Sequence, residues 1–364
     1  MMAKRKKVLI DLYSLKHPNC GFGQIALNYA RLFADVQRSG REPFDICFLL
    51  PNSLRMKRIE IEGVECYYER RALRFWQKSY WQTPKVDLWH SINQACRQYP
   101  SSPDTKHIFT IHDYNFLIEE TPERVSHFLA KMQRRIDRAD AVTFISHYTE
   151  QQVKAHSKLD GKLTRTIYNG VEPLDGKPQQ RPSFVNNEKP FFFAIGQFFP
   201  KKKFDVLLDV MKAFPDKELY ICGQNQFPYG QEIMRRIEQE HIENVHTPGT
   251  VSDAERVWLY ANCQAYLFPS VGEGFGLPAI EAMQFGKPVF ASNYQSLPEI
   301  VGQYGFVWPS LETEVMVKTI KEHLDTFYSQ PGRSQQVKDY AATFRYEKHV
   351  EAYLQLYREI LAEK

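Results

Sequence analysis

Short apolar runs alternate with helical patterns along the whole chain. We interpret the apolar runs as strands, and they lie at residues 7–12, 44–50, 64–68, 88–92, 108–112, 142–146 and 166–169, and in the second half at residues 191–196, 218–223, 245–248, 265–269, 288–292 and 306–309. Strands that alternate with helices build βαβ units and parallel sheets. The pattern therefore predicts an α/β fold with two doubly wound halves, in which ligands bind at the carboxyl ends of the strands.

The length of the chain agrees with two domains. A chain of 364 residues is too long for one typical domain. A polar segment rich in Pro, Gln and Asn separates the two sets of predicted strands, and such a composition is typical of a linker. We predict an N-terminal domain over residues 1–175, a linker over residues 176–190 and a C-terminal domain over residues 191–345.

A glycine-rich segment between a predicted strand and a predicted helix is the clearest candidate for a ligand site. Residues 270–281 read Ser-Val-Gly-Glu-Gly-Phe-Gly-Leu-Pro-Ala-Ile-Glu, and we predict that Pro278 is the first helical residue, where its missing N–H costs nothing. Gly274 and Gly276 allow the backbone to bend tightly and to approach a ligand. The N–H groups and the positive end of the helix dipole suit a phosphate.

Two carboxylates flank this predicted phosphate cradle. The side chains of Glu273 and Glu281 do not suit phosphate, but they accept hydrogen bonds from sugar hydroxyls. A ligand that is part phosphate and part sugar, a nucleotide sugar, would satisfy both features. The alternative is ordinary loop chemistry, with Glu281 an acid in the first turn that stabilises the helix dipole.

The whole segment resembles the Glu-x7-Glu signature of the retaining glycosyltransferases of family 4, which have the GT-B fold. The match continues in register through residues 282–283, 286–289, 291–293 and 296–302. The resemblance implies two Rossmann-like, doubly wound α/β domains that face each other across a cleft, with the acceptor on the N-terminal domain and a nucleoside diphosphate sugar on the C-terminal domain. It also implies that a last helix, within residues 346–364, crosses back to the N-terminal domain.

The resemblance assigns roles to particular residues. It implies that Glu273, His112 and Lys202 act in catalysis, that Glu273 positions sugar hydroxyls and that His112 lies beside the transferred sugar. It implies that Glu281 binds the ribose and that the backbone near residues 250–251 packs on the nucleobase. The implied donor-binding residues are Gly21, Gly23, Gln197, Lys201, Lys202, Thr250, Val251, Gly274, Phe275, Gly276, Leu277 and Glu281.

Three consecutive lysines, Lys201 to Lys203, follow a predicted strand and open a predicted helix. Cations are disfavoured at a helix N-terminus, so this local conflict indicates an anionic ligand. The alternative is a solvated basic turn. In the family this position carries the basic residues that hold the donor diphosphate, and an Arg often follows the strand glycine directly. This chain has Gln197 there, which cannot neutralise a phosphate.

A second glycine motif lies near the N-terminus. Residues 21–26, Gly-Phe-Gly-Gln-Ile-Ala, fit the dinucleotide fingerprint Gly-x-Gly-x-x-Gly/Ala. The second predicted strand ends in Leu-Pro-Asn at residues 50–52, without the acid that would bind the ribose of a nicotinamide cofactor, which disfavours a dehydrogenase. The family resemblance instead implies that Gly21 and Gly23 form a flexible loop that closes over the donor phosphates.

The implied reaction is hexose transfer with retention of anomeric configuration, and we favour GDP-mannose as the donor and surface-polysaccharide assembly as the process. The acceptor would be a glycan or a lipid-linked glycan. We expect no cofactor and no metal, because lysines and helix N–H groups take the place of a divalent ion. An epimerase with the GT-B fold and a non-catalytic nucleotide-sugar-binding protein stay open as alternatives, whereas a phosphorylase would need a pyridoxal phosphate lysine and a longer chain.

The composition is that of a globular protein. Hydrophobic residues make up 43% of the chain and charged residues 25%, and no apolar run is long enough to span a membrane. The first residues lack the apolar core of a signal peptide. Six scattered cysteines without a Cys-x2-Cys pair argue against a zinc site and a disulfide framework, and they suit the cytoplasm.

Basic residues are in excess in the first half of the chain. Through residue 180, 28 Lys and Arg stand against 20 Asp and Glu, whereas 19 stand against 23 after it. Residues 4–7 concentrate the excess, as does the segment 70–81, which interleaves Arg70, Arg71 and Arg74 with aromatic residues. Such a segment suits an anionic bilayer, and no nucleic-acid motif accompanies it. We expect peripheral contact with the inner face of the cytoplasmic membrane; the alternative is a solvated loop.

Overall fold

Two structural units, each with its own parallel sheet, make up the chain. The computed structural model describes residues 5–18, 21–55, 61–69, 84–186 and 188–362. The basic segment predicted to contact a membrane, residues 70–81, lies outside them. Unit 1 holds residues 1–168 and 349–364, and unit 2 holds residues 169–348.

Seven strands form the sheet of unit 1. They are β1 (Lys6–Asp11), β2 (Phe44–Leu50), β3 (Glu65–Tyr68), β4 (Leu88–Ser91), β5 (Lys106–Ile111), β6 (Ala141–Phe144) and β7 (Leu163–Thr166). The helices between them are α1 (Gly21–Ser39), α2 (Asn52–Arg55), α3 (Phe116–Glu119), α4 (Pro122–Asp137) and α5 (His147–His156). The strand order is β3-β2-β1-β4-β5-β6-β7, and every pair is parallel.

The central strands of unit 1 are apolar on both faces because both faces are covered, as a parallel sheet requires. Val8 and Ile10 of β1 belong to a cluster that includes Phe33 of α1. Leu9 points to the opposite face and packs in a cluster with Trp89 of β4. The continuous apolar runs seen in the sequence are therefore the buried middle of this sheet.

The last helix, α13 (Tyr346–Ala362), packs on the sheet of unit 1. The hydroxyl of Tyr357 lies 2.6 Å from Nδ1 of His90, and Nε2 of His90 lies 2.8 Å from the hydroxyl of Thr110. The hydroxyl of Tyr353 lies 3.0 Å from the same threonine oxygen. Because buried polar groups need partners, this network favours one orientation of the helix on the sheet.

Six parallel strands form the sheet of unit 2. They are β8 (Phe191–Ile195), β9 (Glu218–Cys222), β10 (Val245–Gly249), β11 (Ala265–Phe268), β12 (Val289–Ser292) and β13 (Phe306–Trp308). Its helices are α6 (Phe204–Met211), α7 (Pro228–Gln239), α8 (Asp253–Asn262), α9 (Leu277–Gln284), α10 (Leu297–Val301), α11 (Thr313–Ser329) and α12 (Arg333–Ala341). The strand order is β10-β9-β8-β11-β12-β13. The predicted doubly wound α/β fold is confirmed for both units.

Each predicted strand has a counterpart in the structure, and the largest displacement concerns the strand predicted at residues 166–169. The corresponding strand is β7, Leu163–Thr166, at the edge of its sheet. None of its residues is fully buried. An edge strand that is covered incompletely carries no apolar run, so the apolar pattern points to the wrong residues.

The boundary between the units falls between Tyr168 and Asn169, earlier than the predicted linker. Leu174 and Val185 are buried in unit 2, and the backbone N–H of Leu174 donates to Oε1 of Gln284 at 2.7 Å. The predicted linker, residues 176–190, therefore belongs to unit 2 in its described part. Its polar composition reflects surface exposure, while a few apolar residues attach it to the unit.

Candidate active site

The predicted phosphate cradle lies where the strand order of unit 2 reverses. From β8 the chain continues to β9 on one side of the sheet, and from the neighbouring β11 it continues to β12 on the other side. Such a switch point opens a crevice at the carboxyl ends of the strands, and ligands bind there in doubly wound folds. The loops after these strands, residues 196–203 and 269–276, carry Lys202 and Glu273.

The turn that leads into α9 requires glycine. Gly276 has a φ of 101°, in the left-handed region, and caps the N-terminus of α9. An added Cβ atom at Gly276 would lie 2.7 Å from Cδ2 of Leu297. Both the conformation and the lack of space therefore favour glycine at this position.

The start of α9 differs in one detail from the prediction. Leu277 is the first helical residue and Pro278 the second, so the predicted position of Pro278 is wrong by one residue. Its missing N–H still falls among the first four, which have no partner within a helix. The N–H of Ala279 donates to the carbonyl of Gly276 at 3.0 Å. The N–H groups of residues 276–277 are therefore the ones that the start of α9 could offer to a phosphate.

Buried serines hold the glycine-rich loop in place. The Oγ atom of Ser296 lies 2.8 Å from the carbonyl oxygen of Glu273 and 3.1 Å from that of Phe275. The hydroxyl of Ser292 donates to the carbonyl of Ser270. These serines are fully buried, and the side chain of Phe275 is buried as well. The backbone of the loop, rather than the ring of Phe275, is thus what a ligand would meet.

Lys202 and Glu273 form an ion pair at the switch point. Lys202 ends the 3-10 helix Pro200–Lys202, and Lys203 has a left-handed conformation, with a φ of 53°, before α6 begins. The side chains of Lys202 and Glu273 are each 14% exposed. The carboxylate of Glu273 therefore supplies, within the protein, the anion that the sequence position of the lysine cluster predicts.

Lys201 is tied to the same loop, whereas Gln197 lies at the surface. The carbonyl oxygen of Lys201 accepts a hydrogen bond from the N–H of Val271 at 2.8 Å. An added Cβ atom at Gly272 would lie 2.9 Å from Cδ of Lys201, so the lysine side chain covers that glycine. Gln197 is exposed and donates from Nε2 to the side chain of Gln224 at 3.2 Å. Gln197 thus adds no positive charge to the cradle.

Glu281 pairs with an arginine that the sequence analysis did not identify. Nη1 of Arg256, on α8, lies 2.8 Å from Oε1 of Glu281, on α9. The charge of Glu281 is the main cause that raises the pKa of Arg256. Glu281 lies beyond the first turn of α9, so the helix-dipole interpretation does not apply to it. The sequence did contain an indication of this ion pair, because a cation near the N-terminus of a helix needs a compensating anion.

Thr250 and Val251 follow the carboxyl end of β10. Thr250 is exposed and Val251 is half-buried. Gly249 has a φ of 87°, and its carbonyl accepts a hydrogen bond from the loop after β9 at 2.8 Å. Ser252 and Glu255 form a capping box at the start of α8.

His112 belongs to unit 1 and directly follows β5. Its side chain is buried, and Nε2 lies 2.9 Å from the carbonyl oxygen of Ile92. Because a carbonyl oxygen only accepts, Nε2 carries the proton. Burial lowers the pKa of His112 to about 4. The ring is therefore neutral near pH 7, and Nδ1 is an unprotonated acceptor.

Gly21 and Gly23 also belong to unit 1, in the first turn of α1. The expectation that they form a flexible loop is wrong. An added Cβ atom at Gly23 would lie 2.0 Å from the carbonyl oxygen of His17, so this glycine permits a close backbone contact. The helix forms here because the buried residues that follow have helical spacing, at Ile25, Ala26, Tyr29 and Phe33.

Two further features are absent from the described residues, a metal-binding group of side chains and a membrane-spanning helix. Within residues 5–18, 21–55, 61–69, 84–186 and 188–362, no group of three or more His, Cys, Asp or Glu side chains has an arrangement suited to a metal ion. No helix in this part of the chain combines the length and the apolar character needed to cross a membrane.

Two family models match the chain. The model of the glycosyl transferases group 1 matches residues 176–360, and the model of glycosyltransferase family 4 matches residues 51–173. The first match covers the whole switch-point region of unit 2, including both glutamates of the glycine-rich segment. Together the two models account for most of the chain.

Curated relatives include two O-antigen mannosyltransferases. The chain is 24% identical to O-antigen chain mannosyltransferase B of Escherichia coli over 269 residues, which is 70% of this chain and 68% of that protein. It is 24% identical to O-antigen chain mannosyltransferase RfbU of Salmonella typhimurium over 238 residues, which is 64% of this chain and 65% of that protein.

Solved structures share the fold over nearly the whole chain. The sucrose-phosphate synthase of Thermosynechococcus elongatus has a TM-score of 0.74 at 19% identity and covers 99% of this chain and 100% of its own. Anabaena HepE in complex with UDP-glucose has a TM-score of 0.68 at 17% identity and covers 97% of this chain and 99% of its own. The chain belongs to the glycosyl transferases group 1 and is a family 4 glycosyltransferase with the GT-B fold.

Proposed function

We propose that this glycosyltransferase moves a hexose from a nucleoside diphosphate sugar to a glycan or lipid-linked acceptor during assembly of a surface polysaccharide. The observation that carries the donor class is the switch point of unit 2, where Lys202, Glu273 and the start of α9 lie together. Two named relatives act on O-antigen chains with mannose, and HepE binds UDP-glucose. We favour GDP-mannose as the donor because those relatives are mannosyltransferases.

The donor would bind to unit 2 through four groups of contacts, to its diphosphate, its ribose, its nucleobase and its sugar. Its diphosphate would lie against Lys201, Lys202 and the first N–H groups of α9. Its ribose would donate hydrogen bonds to the carboxylate of Glu281. Its nucleobase would pack near residues 250–251. The diphosphate would then replace Glu273 as the anionic partner of Lys202. The carboxylate of Glu273 would accept hydrogen bonds from the transferred sugar.

The chemistry follows from where charge develops. As the bond between the anomeric carbon and the phosphate oxygen breaks, negative charge grows on the leaving diphosphate and positive charge on the sugar ring. Lys202 and the N–H groups of α9 stabilise the first of these charges, since they are held in place before the reaction begins. The acceptor oxygen forms its bond on the same face of the sugar, and its proton passes to the leaving phosphate. Configuration is retained.

His112 contributes as a neutral group. With its proton on Nε2 and a pKa lowered to about 4 by burial, the ring is able to accept a hydrogen bond at Nδ1 and carries no charge near pH 7. A neutral acceptor suits a hydroxyl of the transferred sugar. We therefore assign His112 to orientation of that sugar rather than to stabilisation of the leaving group.

Peripheral contact with the cytoplasmic membrane is supported by a basic surface on unit 1. We define this basic surface by four exposed side chains that form no ion pair with any described residue, which are Arg97, Lys131, Arg134 and Arg138. Burial is the largest cause that lowers the pKa of Lys131, and the nearby charges of Arg135 and Arg97 lower it further. The four side chains give this surface a positive charge. Anionic lipid headgroups would compensate it, at about 1 kcal/mol for each basic residue near the surface.

Incubation of the purified protein with GDP-mannose, UDP-glucose and related donors tests the proposal. Release of the nucleoside diphosphate should be slow when only the donor is present, and it should accelerate when a lipid-linked glycan acceptor is added. Conversion of the donor to another sugar nucleotide without an acceptor would instead indicate an epimerase. A failure of every donor to bind or turn over would contradict the proposed transfer.

A further inference from the structure

The ion pair between Arg256 and Glu281 joins two helices at the edge of the donor cradle. Arg256 lies one turn into α8, directly after the capping box of that helix, and Glu281 lies one turn into α9. Their side chains are 23% and 20% exposed, so both are largely shielded from water but still reach the surface. The 2.8 Å contact engages one carboxylate oxygen, Oε1.

Arg256 has one strong anionic neighbour. Its other carboxylate contact, Asp253 at 3.3 Å, has a side chain that is 94% exposed, and such an exposed pair contributes little. Glu281 is therefore the partner that determines where the guanidinium group lies. Conversely, no second cation forms an ion pair with Glu281 in the described part of the chain.

A buried aromatic residue lies on the same helix as Arg256. Tyr260 lies one turn beyond Arg256 on α8, and its side chain is fully buried. Its ring packs against Phe193 and Tyr266, with centroids 5.0 and 5.6 Å away. Burial, followed by the charge of Glu281, raises the pKa of Tyr260. The 2.8 Å contact with Arg256 is therefore the observed interaction that orients the carboxylate of Glu281.

We propose that Arg256 is a positioning residue for donor binding, which holds the carboxylate of Glu281 in the orientation that accepts hydrogen bonds from the ribose hydroxyls. This inference rests on the proposed function, because it assigns the partner of Glu281 within the donor site. Arg256 itself does not touch the reacting atoms. It acts by ordering the side chain of Glu281 before the nucleotide binds. Without Arg256, that side chain would lose its conformational freedom only on binding.

The expected size of the effect follows from that freedom. Ordering one flexible side chain at binding typically changes affinity by about three- to tenfold. Loss of Arg256 should therefore weaken nucleotide binding by about that factor, and only for nucleotides that have ribose hydroxyls. At saturating donor the turnover number should be unchanged, since the ribose is remote from the bond that breaks.

Calorimetry with GDP and UDP, each compared with its 2′,3′-dideoxy form, tests the proposal. We expect Arg256→Met to weaken binding of the ribonucleotide that the wild-type protein prefers, and to leave binding of the dideoxy form unchanged. Arg256→Lys should restore part of the loss, because an ammonium group keeps the charge but not the planar geometry. Equal effects on both forms, or no effect on either, would overturn the inference.

A matched control separates positioning from simple helix attachment. Arg236, on α7 of the same unit, forms a two-oxygen ion pair with Asp209 of α6 and lies outside the proposed donor contacts. Arg236→Met should lower thermal stability without changing the affinity for the ribonucleotide or for its dideoxy form. If Arg256→Met behaves in the same way, Arg256 is structural and the inference is wrong. If the wild-type protein itself binds neither GDP nor UDP, that result contradicts the proposed donor and not the role of Arg256.

Discussion

Lys202 and Glu273 neutralise each other across the switch point of unit 2, although 71 residues separate them in the chain. The loop after β8 carries the cation and the loop after β11 carries the anion. An incoming diphosphate would compete with Glu273 for the ammonium group. Binding of the donor and release of Glu273 for the sugar would therefore be one coupled event.

Lys202→Ala should severely reduce turnover and leave the fold intact. In the proposed donor complex, the substitution removes a cation that lies where negative charge develops on the leaving diphosphate. By analogy with the loss of one oxyanion-hole donor, we expect the rate to fall about 10²- to 10³-fold. Steady-state kinetics at saturating donor measure this effect.

Lys212→Ala is the matched control for that experiment. Lys212 also lies in unit 2 and forms ion pairs, with Asp209 and Glu240, but it follows the far end of α6. Its loss should leave turnover near the wild-type value. Near-normal turnover in Lys202→Ala, with an unchanged melting temperature, would remove Lys202 from the catalytic machinery.

Glu281→Ala and Glu273→Ala should affect different kinetic constants. Glu281 would contact the ribose, so its loss should weaken binding of the nucleoside diphosphate by roughly 10- to 100-fold, the range for hydrogen bonds to a charged group. Glu273 would contact the sugar that reacts, so its loss should mainly lower turnover. Calorimetry and kinetics separate the two effects, and an unchanged affinity in Glu281→Ala would exclude the ribose contact.

The fold was largely predictable because it depends on local patterns. Central strands such as β2 and β8 are buried on both faces and therefore appear in the sequence as continuous apolar runs. The same reasoning fails at β7, which lies at a sheet edge and has no such run. It also fails at Gly21 and Gly23, whose glycine-x-glycine spacing is typical of a loop but lies within a helix.

The candidate site was predictable in its residues but not in its pairings. Glycine content and the local conflict at the lysines pointed to Glu273, Glu281 and Lys202. That Lys202 pairs with Glu273, and Glu281 with Arg256, depends on how separate helices and loops pack, which no local pattern contains. The pairing also weakens the original argument for an anionic ligand at Lys202, because Glu273 already supplies an anion.

Acid should destabilise unit 1 through its buried histidines. In His349, Nε2 lies 2.7 Å from the hydroxyl of Tyr29, and burial lowers the pKa to about 4; burial does the same for His107 and His112. In the unfolded chain these rings titrate near 6.5. Between pH 6.5 and 4 the unfolded state therefore binds more protons, so the free energy of unfolding falls as pH falls, by at most about 1.4 kcal/mol per pH unit for each histidine.

Urea unfolding at several pH values between 7 and 4.5 measures this slope. His349→Gln should make the dependence on pH shallower, whatever its effect on stability at pH 7. His127→Gln, which changes an exposed histidine of the same unit, should leave the slope unchanged. Equal slopes in the wild-type protein and in His349→Gln would show that His349 is not protonated on unfolding.

Chelation by EDTA should not abolish transfer. The proposed charge stabilisation comes from Lys201, Lys202 and the start of α9, and the described residues contain no cluster of carboxylates and imidazoles suited to a divalent ion. Activity should be measured after dialysis against EDTA and again after addition of Mg²⁺ or Mn²⁺. Full loss followed by rescue would mean that a metal ion binds at the phosphate site.

The basic surface of unit 1 should bind anionic bilayers in a salt-sensitive manner. Sedimentation with phosphatidylglycerol vesicles should carry the protein down at low ionic strength, and the bound fraction should decrease as salt is added, because screening weakens attraction between exposed charges. The variant with Lys131, Arg134 and Arg138 all changed to Ser should sediment less.

The control for this prediction changes three basic residues of unit 1 that already have acidic partners. Lys154 pairs with Glu150, Arg38 with Asp35 and Arg165 with Glu359; the three basic side chains are partly exposed. Their replacement by Ser removes the same positive charge as the first variant, so net charge alone predicts an equal loss of binding. A much smaller loss in the control would assign the membrane contact to the basic surface. Equal losses would indicate nonspecific attraction, and no sedimentation of the wild-type protein at low salt would favour an acceptor in solution.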